Sequence, residues 1–236
     1  MHSDIRNLLL RRLAPRDLNR LLPDLDRVKL PSRMILEESG QNIEFVYFLD
    51  DGLCSVVVGN RDIKAEAGHI GFEGATGSAL ILGASAPDTV SFMQLAGSGW
   101  RISSSDLLDV LKTMPDLRRI LLLHAHALTT QITHTLLAAA KFKIQQRLAR
   151  WLLMCHDRTH GDTMQLTHDF LALMLAVRRA GVTTELQVLE GEGLIKATRG
   201  TVQILNRQGL IKVAGACYGA PEREYERLFA EIRYPG

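Results

Sequence analysis

Cysteine is scarce: the 236 residues hold three, Cys54, Cys155 and Cys217, far apart and with no Cys-x-x-Cys pair. That argues against a disulfide framework, a zinc ribbon and a four-cysteine iron–sulfur site, and it fits a reducing compartment. Long apolar runs are missing as well. No stretch approaches the roughly 18 apolar residues of a membrane span. The opening MHSDIRNLLLRRLAP offers only three leucines before Arg11 and Arg12, too few for the apolar part of a signal peptide. The expectation is a soluble cytoplasmic protein with no membrane partner. Catalytic signatures are lacking too: His-Glu-x-x-His, Gly-x-Ser-x-Gly and a Walker loop ending in Gly-Lys-Ser/Thr do not occur. The glycine-rich run at 71–77 has no lysine and reads as a turn-rich connection. No catalytic residue, metal site or cofactor is expected.

What is present suffices for a buried core, with 46% apolar and 23% charged residues. The net charge of +2 is unevenly spread. Residues 1–140 carry 14 Lys/Arg against 16 Asp/Glu, and residues 141–236 carry 14 against 10. The later part therefore leans slightly towards a polyanionic partner.

The pattern changes along the chain. Ile5, Leu8, Leu9 and Arg12 fall at helical spacing, and Pro15 begins a second short helix through Leu22. From Met34 to about Ile102, short apolar runs alternate with glycine and Asp-Gly. Residues 45–49, a break at Asp50-Asp51-Gly52, residues 54–58, and residues 91–95 before Gly97-Ser98-Gly99 read as strands of an antiparallel barrel or roll. Glycine then disappears from Ser105 until Gly161. Ser105 is the expected cap of a short helix through Met114, and Pro115 suits the first turn of a longer one. Residues 115–140 would span about 39 Å as a helix. Leu117, Leu121, His124, Leu128, Thr135 and Ala139 form a seam along it that can face a second copy or its own domain. Residues 141–158 continue as a separate amphipathic helix with Ile144, Leu148, Trp151, Leu152 and Cys155 on one face.

The most informative stretch is 166–205. Thr167 is a credible N-cap with Asp169 in the first turn, where the helix dipole favours an anion. That helix runs to about Leu175, turns at Ala176-Val177, and gives way to a second helix that buries Val182, Leu186 and Leu189. Ala180, Thr184 and Gln187 point away from the buried face, and Arg178 and Arg179 stand at the N-terminal end. Apolar behind, small or polar in front and cationic at the tip is the layout of a recognition helix. Gly191-Glu192-Gly193 ends it, and 194–198 and 201–205 form a hairpin with Arg199-Gly200 at the tip. Together these make a winged helix-turn-helix. An ordinary helical hairpin followed by a β-hairpin remains the plain alternative.

Residues 166–205 resemble the DNA-binding domain of the Crp/Fnr regulators. Ile43 to Leu49 with Gly52 is similar to that family's sensor β-roll, and the long helix sits where its dimer helix belongs. The resemblance implies an α+β chain: a β-roll over 1–105 (jelly-roll-like), a dimerisation helix over 106–140 and a winged helix-turn-helix over 141–236. It implies a homodimer on a roughly palindromic double-stranded DNA operator, with RNA polymerase as a further partner. Members that read an inner-groove consensus carry Arg, then Glu, then a second Arg four positions later. This chain keeps Arg179 but has Ala180 and Thr184 at the other two places, so its operator should differ. Arg179 can pair bidentately with guanine, and Ala180, Thr183 or Thr184 can touch a thymine methyl. Gln187 completes that face. Thr167, His168, Arg178 and Arg199 are the phosphate candidates.

Cyclic-nucleotide-binding members hold the ligand with an early Gly-Glu and a later Arg-Ser/Thr. Here Gly71 and Glu73 fall in the first region, with Asp88 and Thr89 in the second. A carboxylate where the Arg should be repels a phosphate, which argues against cyclic AMP in the usual mode and leaves the effector unassigned. Haem ligation would draw on His69, His124 or His126, yet no spacing singles one out. His156 and His160, four apart, read as solvated, and Cys54 as a buried strand residue. The competing class is a small-molecule sensor or interaction module that has lost DNA binding.

Overall fold

The computed structural model describes residues 5–59, 64–230 and 232. Two short helices open it, α1 (Leu8–Arg11) and α2 (Pro15–Leu21). The first starts later than the periodicity from Ile5 suggests because Asn7 caps it. The Asn7 side-chain oxygen accepts from the N–H groups of Leu9 and Leu10. Its amide donates to the carbonyls of Leu49 and Gly74, both at 2.8 Å, so the cap also pins this segment to the sheet behind it.

Strands β1 (Asp26–Leu30), β2 (Ile35–Glu37), β3 (Phe45–Gly59), β4 (Lys64–Ile70) and β5 (Val90–Ser103) form one antiparallel sheet. Its order is β1-β5-β3-β4, with β2 also on β5. Asp50-Asp51-Gly52 does not separate two strands as the sequence suggests. β3 runs straight through it, and register shifts around Asp51 and Leu53 absorb the irregularity. Gly97-Ser98-Gly99 likewise lies inside β5. A Cβ on Gly97 would stand 2.0 Å from the Asp51 carbonyl oxygen, and one on Gly99 2.3 Å from that of Phe48. These glycines mark a close approach of two backbones, which in sequence looks like a strand break.

The glycine-rich turn after β4 leads into α3 (Ser78–Ile81). Helix α4 (Ser104–Thr113) is capped by Ser103 rather than Ser105, with Ser103 Oγ accepting from the Asp106 N–H at 3.1 Å. Helix α5 (Pro115–Lys141) is 27 residues long, close to the expected span. It ends at Phe142, whose extended backbone separates it from α6 (Ile144–His156).

The C-terminal part runs β6 (Thr163–Gln165), α7 (His168–Met174), α8 (Arg179–Gly191), β7 (Ile195–Thr198), β8 (Thr201–Ile204) and α9 (Arg207–Ala214). The hairpin β7–β8 gains a third strand, β6, in the order β6-β8-β7. Residues 148–155 of α6 are buried on all sides, not along one stripe, because neighbouring elements, α8 and α9 among them, enclose it. The last helix, α10 (Ala220–Ala230), returns to the N-terminal part and packs along α5. There Phe229 joins Ile5, Leu9 and Leu10 in one buried cluster, and the Arg12 guanidinium lies 4.8 Å from its ring centroid. A second cluster fills the interior of the sheet with Leu30, Leu36, Tyr47, Leu49, Cys54 and Met93, among others. Cys54 is fully buried, as expected, and burial pushes its thiol pKa well up.

Candidate nucleic-acid interface

Helices α7 and α8 present the expected surface. Thr167 caps α7, its Oγ1 accepting from the Phe170 N–H at 3.2 Å. The chain then turns through Ala176, whose φ of 50° is left-handed, and Arg178 stands as the N-cap residue of α8. Val182, Leu186 and Leu189 anchor α8 inward. Arg178, Arg179, Ala180, Thr184 and Gln187 are exposed on the outer side, and Arg199 is exposed at the wing tip. The wing is tied to α8 by Glu190, whose Oε1 accepts from the Ala197 N–H at 3.0 Å.

Several of these side chains already have partners. Arg179 Nε lies 3.3 Å from Asp169 Oδ1, an exposed pair across the two helices. Thr184 Oγ1 donates back to the Ala180 carbonyl at 3.1 Å, so its hydroxyl is engaged with its own helix. Thr183 is half-buried, and its Oγ1 sits 3.0 Å from His168 Nδ1. His168 and Thr183 therefore bridge α7 to α8, a bracing role that spacing alone does not reveal.

The expected seam on α5 faces the other way. Leu117, Leu121, His124 and Leu128 are buried within their own chain, against the sheet, α3, α10 and the N-terminal helices. Thr135 is half-buried and bonded by Arg150, and only Ala139 is open. A second copy cannot reach the four buried residues. The exposed stripe is instead Leu122, Thr129, Thr133, Leu136 and Ala140; His126 lies in the same line and is exposed too, but its Nε2 is 3.8 Å from Glu224 Oε1 of α10. Leu136 is 70% exposed.

The proposed sensor residues also separate. Glu73 Oε1 accepts from Arg158 Nε at 2.6 Å and from the Gly71 N–H at 3.3 Å. Arg158 was not among the candidates, because it arrives from the end of α6, 85 positions away. Asp88 is exposed, its carbonyl accepting from Ser39 Oγ at 3.1 Å, and Thr89 is half-buried beside it. A carboxyl that is held in the sheet is Glu37, bonded by Ser91 Oγ at 2.6 Å and the Gly77 N–H at 2.7 Å. Burial raises its pKa against the lowering by those two bonds. His156 is not simply solvated: its Nε2 lies 2.9 Å from Asp162 Oδ1, and its Nδ1 3.0 Å from Arg207. His160 is exposed. Of the histidines weighed for haem, His69 and His124 are buried and His126 is exposed. No described helix is long and apolar enough to cross a membrane.

Residues 146–213 match the model of the Crp-like helix-turn-helix domain. No curated protein matches the chain in sequence. Among solved structures it is similar to FixK2 from Bradyrhizobium japonicum, at 15% identity and a TM-score of 0.70, covering 81% of this chain and 98% of that one. It is similar to the c-di-GMP responsive global regulator CLP of Xanthomonas campestris, at 19% identity and a TM-score of 0.63, covering 81% and 99%. A CRP-family transcriptional regulator from Thermus thermophilus matches at 18% identity and a TM-score of 0.63, covering 83% and 99%. The chain thus carries a Crp-like helix-turn-helix domain at residues 146–213, set within the fold of the Crp/Fnr transcription regulators.

Proposed function

We propose that the chain is a sequence-specific DNA-binding transcription regulator that acts as a homodimer in the cytoplasm, by binding and without catalysis. The observation that carries this reading is the exposed N-terminal end of α8, with Arg178 and Arg179 both solvent-facing, Arg179 held only by its exposed pair with Asp169, and Arg199 exposed at the wing tip. Arg179 reads guanine, and Ala180, Thr184 and Gln187 complete the base-facing side. Arg178, Arg199 and the cap region at Thr167 and His168 contact phosphates, which position the domain without reading sequence.

The dimer forms along the exposed stripe of α5, chiefly its Thr129 to Ala140 part. Twofold symmetry then gives two recognition helices for successive grooves about 34 Å apart, on a roughly palindromic operator. The extended residue Phe142 between α5 and α6 is the point about which the DNA-binding units swing. RNA polymerase is the further partner of such a regulator. Cyclic AMP in the usual mode does not fit, since the sheet interior is filled by its own apolar side chains, Glu73 is engaged by Arg158, and Asp88 is an exposed carboxylate.

Selection of bound sequences from random double-stranded DNA by the purified chain tests the reading, followed by affinity measured over a range of salt. A palindromic consensus and a steep loss of affinity with salt are expected, the slope counting phosphate contacts. Failure to bind any duplex at low salt would overturn it.

A further inference from the structure

A cavity of about 430 Å³ lies where five parts of the chain meet. Leu8 and Arg12 border it from the N-terminal helix, and Phe72 and Glu73 from the turn after β4. His124 and Gln131 reach it from α5, and Arg158 from the end of α6. Tyr218 and Tyr225 close it from the tail. The volume lies in the range of small-molecule sites.

The polar atoms around it are incompletely used. Arg12 Nε, His69 Nδ1, Glu73 Oε2 and His124 Nδ1 are buried and have no hydrogen-bond partner, and all four residues line this one cavity. His69 is 1% exposed and His124 6%. Native interiors pair nearly all such atoms, so four unpaired ones around one space mark a place for a polar occupant.

Charge selects its class. Glu73, Asp157, Glu222 and Glu226 line the cavity against Arg12, Arg158 and Arg207, an excess of one negative charge. Arg158 and Arg207 are already engaged, with Glu73 and Asp157, each at 2.6 Å. Burial works against the charge on Arg158, yet Glu73, Glu222 and Asp157 outweigh it and hold its pKa above the ordinary value. Burial lowers the pKa of His124, so that ring adds no positive charge at neutral pH. A phosphate would meet Arg12 Nε but also four lining carboxylates, whereas an ammonium finds the unpaired Glu73 Oε2 with those carboxylates in its favour. Phe72, Tyr218 and Tyr225 supply aromatic surface, which suits both a ring and an adjacent cation.

We propose that this cavity binds a small aromatic amine, its ammonium on Glu73 Oε2, its ring against Phe72 and Tyr225, and a ring hydroxyl at His124 Nδ1. The site draws on the sheet, the long helix, the end of α6 and the tail together, so its occupant bears on how those parts pack. It stands independently of the DNA-binding reading, and its test contains no DNA.

The probe is tyramine, titrated into the purified full chain by calorimetry. One tyramine per chain is expected, with a Kd below about 1 mM. N-acetyltyramine keeps the ring and hydroxyl but loses the charge, and should bind at least about tenfold more weakly. Cyclic AMP should not compete. Ala127→Phe puts a ring into the cavity while every polar side chain of the lining is kept, and should fold by circular dichroism while losing tyramine binding. Should that variant fail to fold, Glu226→Gln, exposed at the cavity rim, is read instead and should weaken tyramine about two- to fivefold. The proposal is overturned by no tyramine binding at about 1 mM, by equal binding of N-acetyltyramine, or by competition from cyclic AMP. Unchanged tyramine binding in folded Ala127→Phe, or in Glu226→Gln when that variant is the one read, overturns it equally.

Discussion

The indole N–H of Trp151 donates to Glu66 Oε1 at 2.6 Å, joining α6 to β4. Glu66 is buried, and its other oxygen accepts from Ser55 Oγ at 2.6 Å. His69, whose Nε2 lies 2.5 Å from Glu66 Oε1, is held in turn by Gln131 of α5, which accepts from the His69 N–H at 2.6 Å. One buried carboxyl thus collects contacts from the sheet and from the first helix of the DNA-binding unit. Trp151→Phe keeps an aromatic ring, though a smaller one, and removes the donor. It should cost about 1–3 kcal/mol of stability and speed amide exchange in α6 and β4 ahead of the rest of the chain. Hydrogen exchange followed by mass spectrometry measures both, and uniform exchange would deny the junction its role.

Arg179→Ala should cost about 1–3 kcal/mol on the selected operator and far less on random DNA. Fluorescence anisotropy on both duplexes decides it. Equal losses would make Arg179 a phosphate contact. Arg178→Ala and Arg199→Ala should instead lower affinity on both duplexes and each flatten the salt slope by about one unit.

The two faces of α5 predict opposite outcomes. Leu136 is exposed, so Leu136→Glu should leave thermal unfolding of the chain nearly unchanged and shift sedimentation equilibrium from dimer to monomer. Leu121 is 1% exposed in its own chain. Leu121→Ala should lower stability by about 2–5 kcal/mol with no selective effect on association.

His124 gives a pH signature. Burial lowers its pKa from the ordinary 6.5, while the neighbouring Ala75 carbonyl and Glu73 pull the other way. Below pH 6.5 the unfolded chain takes up a proton there that the folded chain refuses, so stability falls as pH drops from 6.5 through the lowered folded value. His124→Gln should remove that part of the slope. Urea unfolding of both proteins from pH 7.5 to 5.0 measures it, and parallel curves would refute it.

The winged helix-turn-helix was readable because its signals are local: the Thr167 cap, the turn at Ala176, the inward spacing of Val182, Leu186 and Leu189, and the Arg199-Gly200 hairpin tip all lie within forty residues. The inward face of α5 was not. Leu117, Leu121 and Leu128 repeat as a seam would, and so do Leu122 and Leu136 on the other side. What decides between them is α10 and the sheet, which pack on the first set from distant parts of the chain. Strand β6, three residues long, exists through its pairing with β8 and has little pattern of its own. The Glu73–Arg158 pair, which replaces the expected Glu73 and Asp88, joins two segments that only the folded chain brings together.

The tail carries a consequence for how the chain acquires its shape. Phe229 sits among Ile5, Leu9 and Leu10, and its carbonyl accepts from Arg12, 217 positions earlier. The N-terminal helices therefore lack a wall of their own core until synthesis has passed residue 229. A growing or C-terminally clipped chain would leave those leucines facing water, open to chaperones and proteases, even with every residue of the sheet in place.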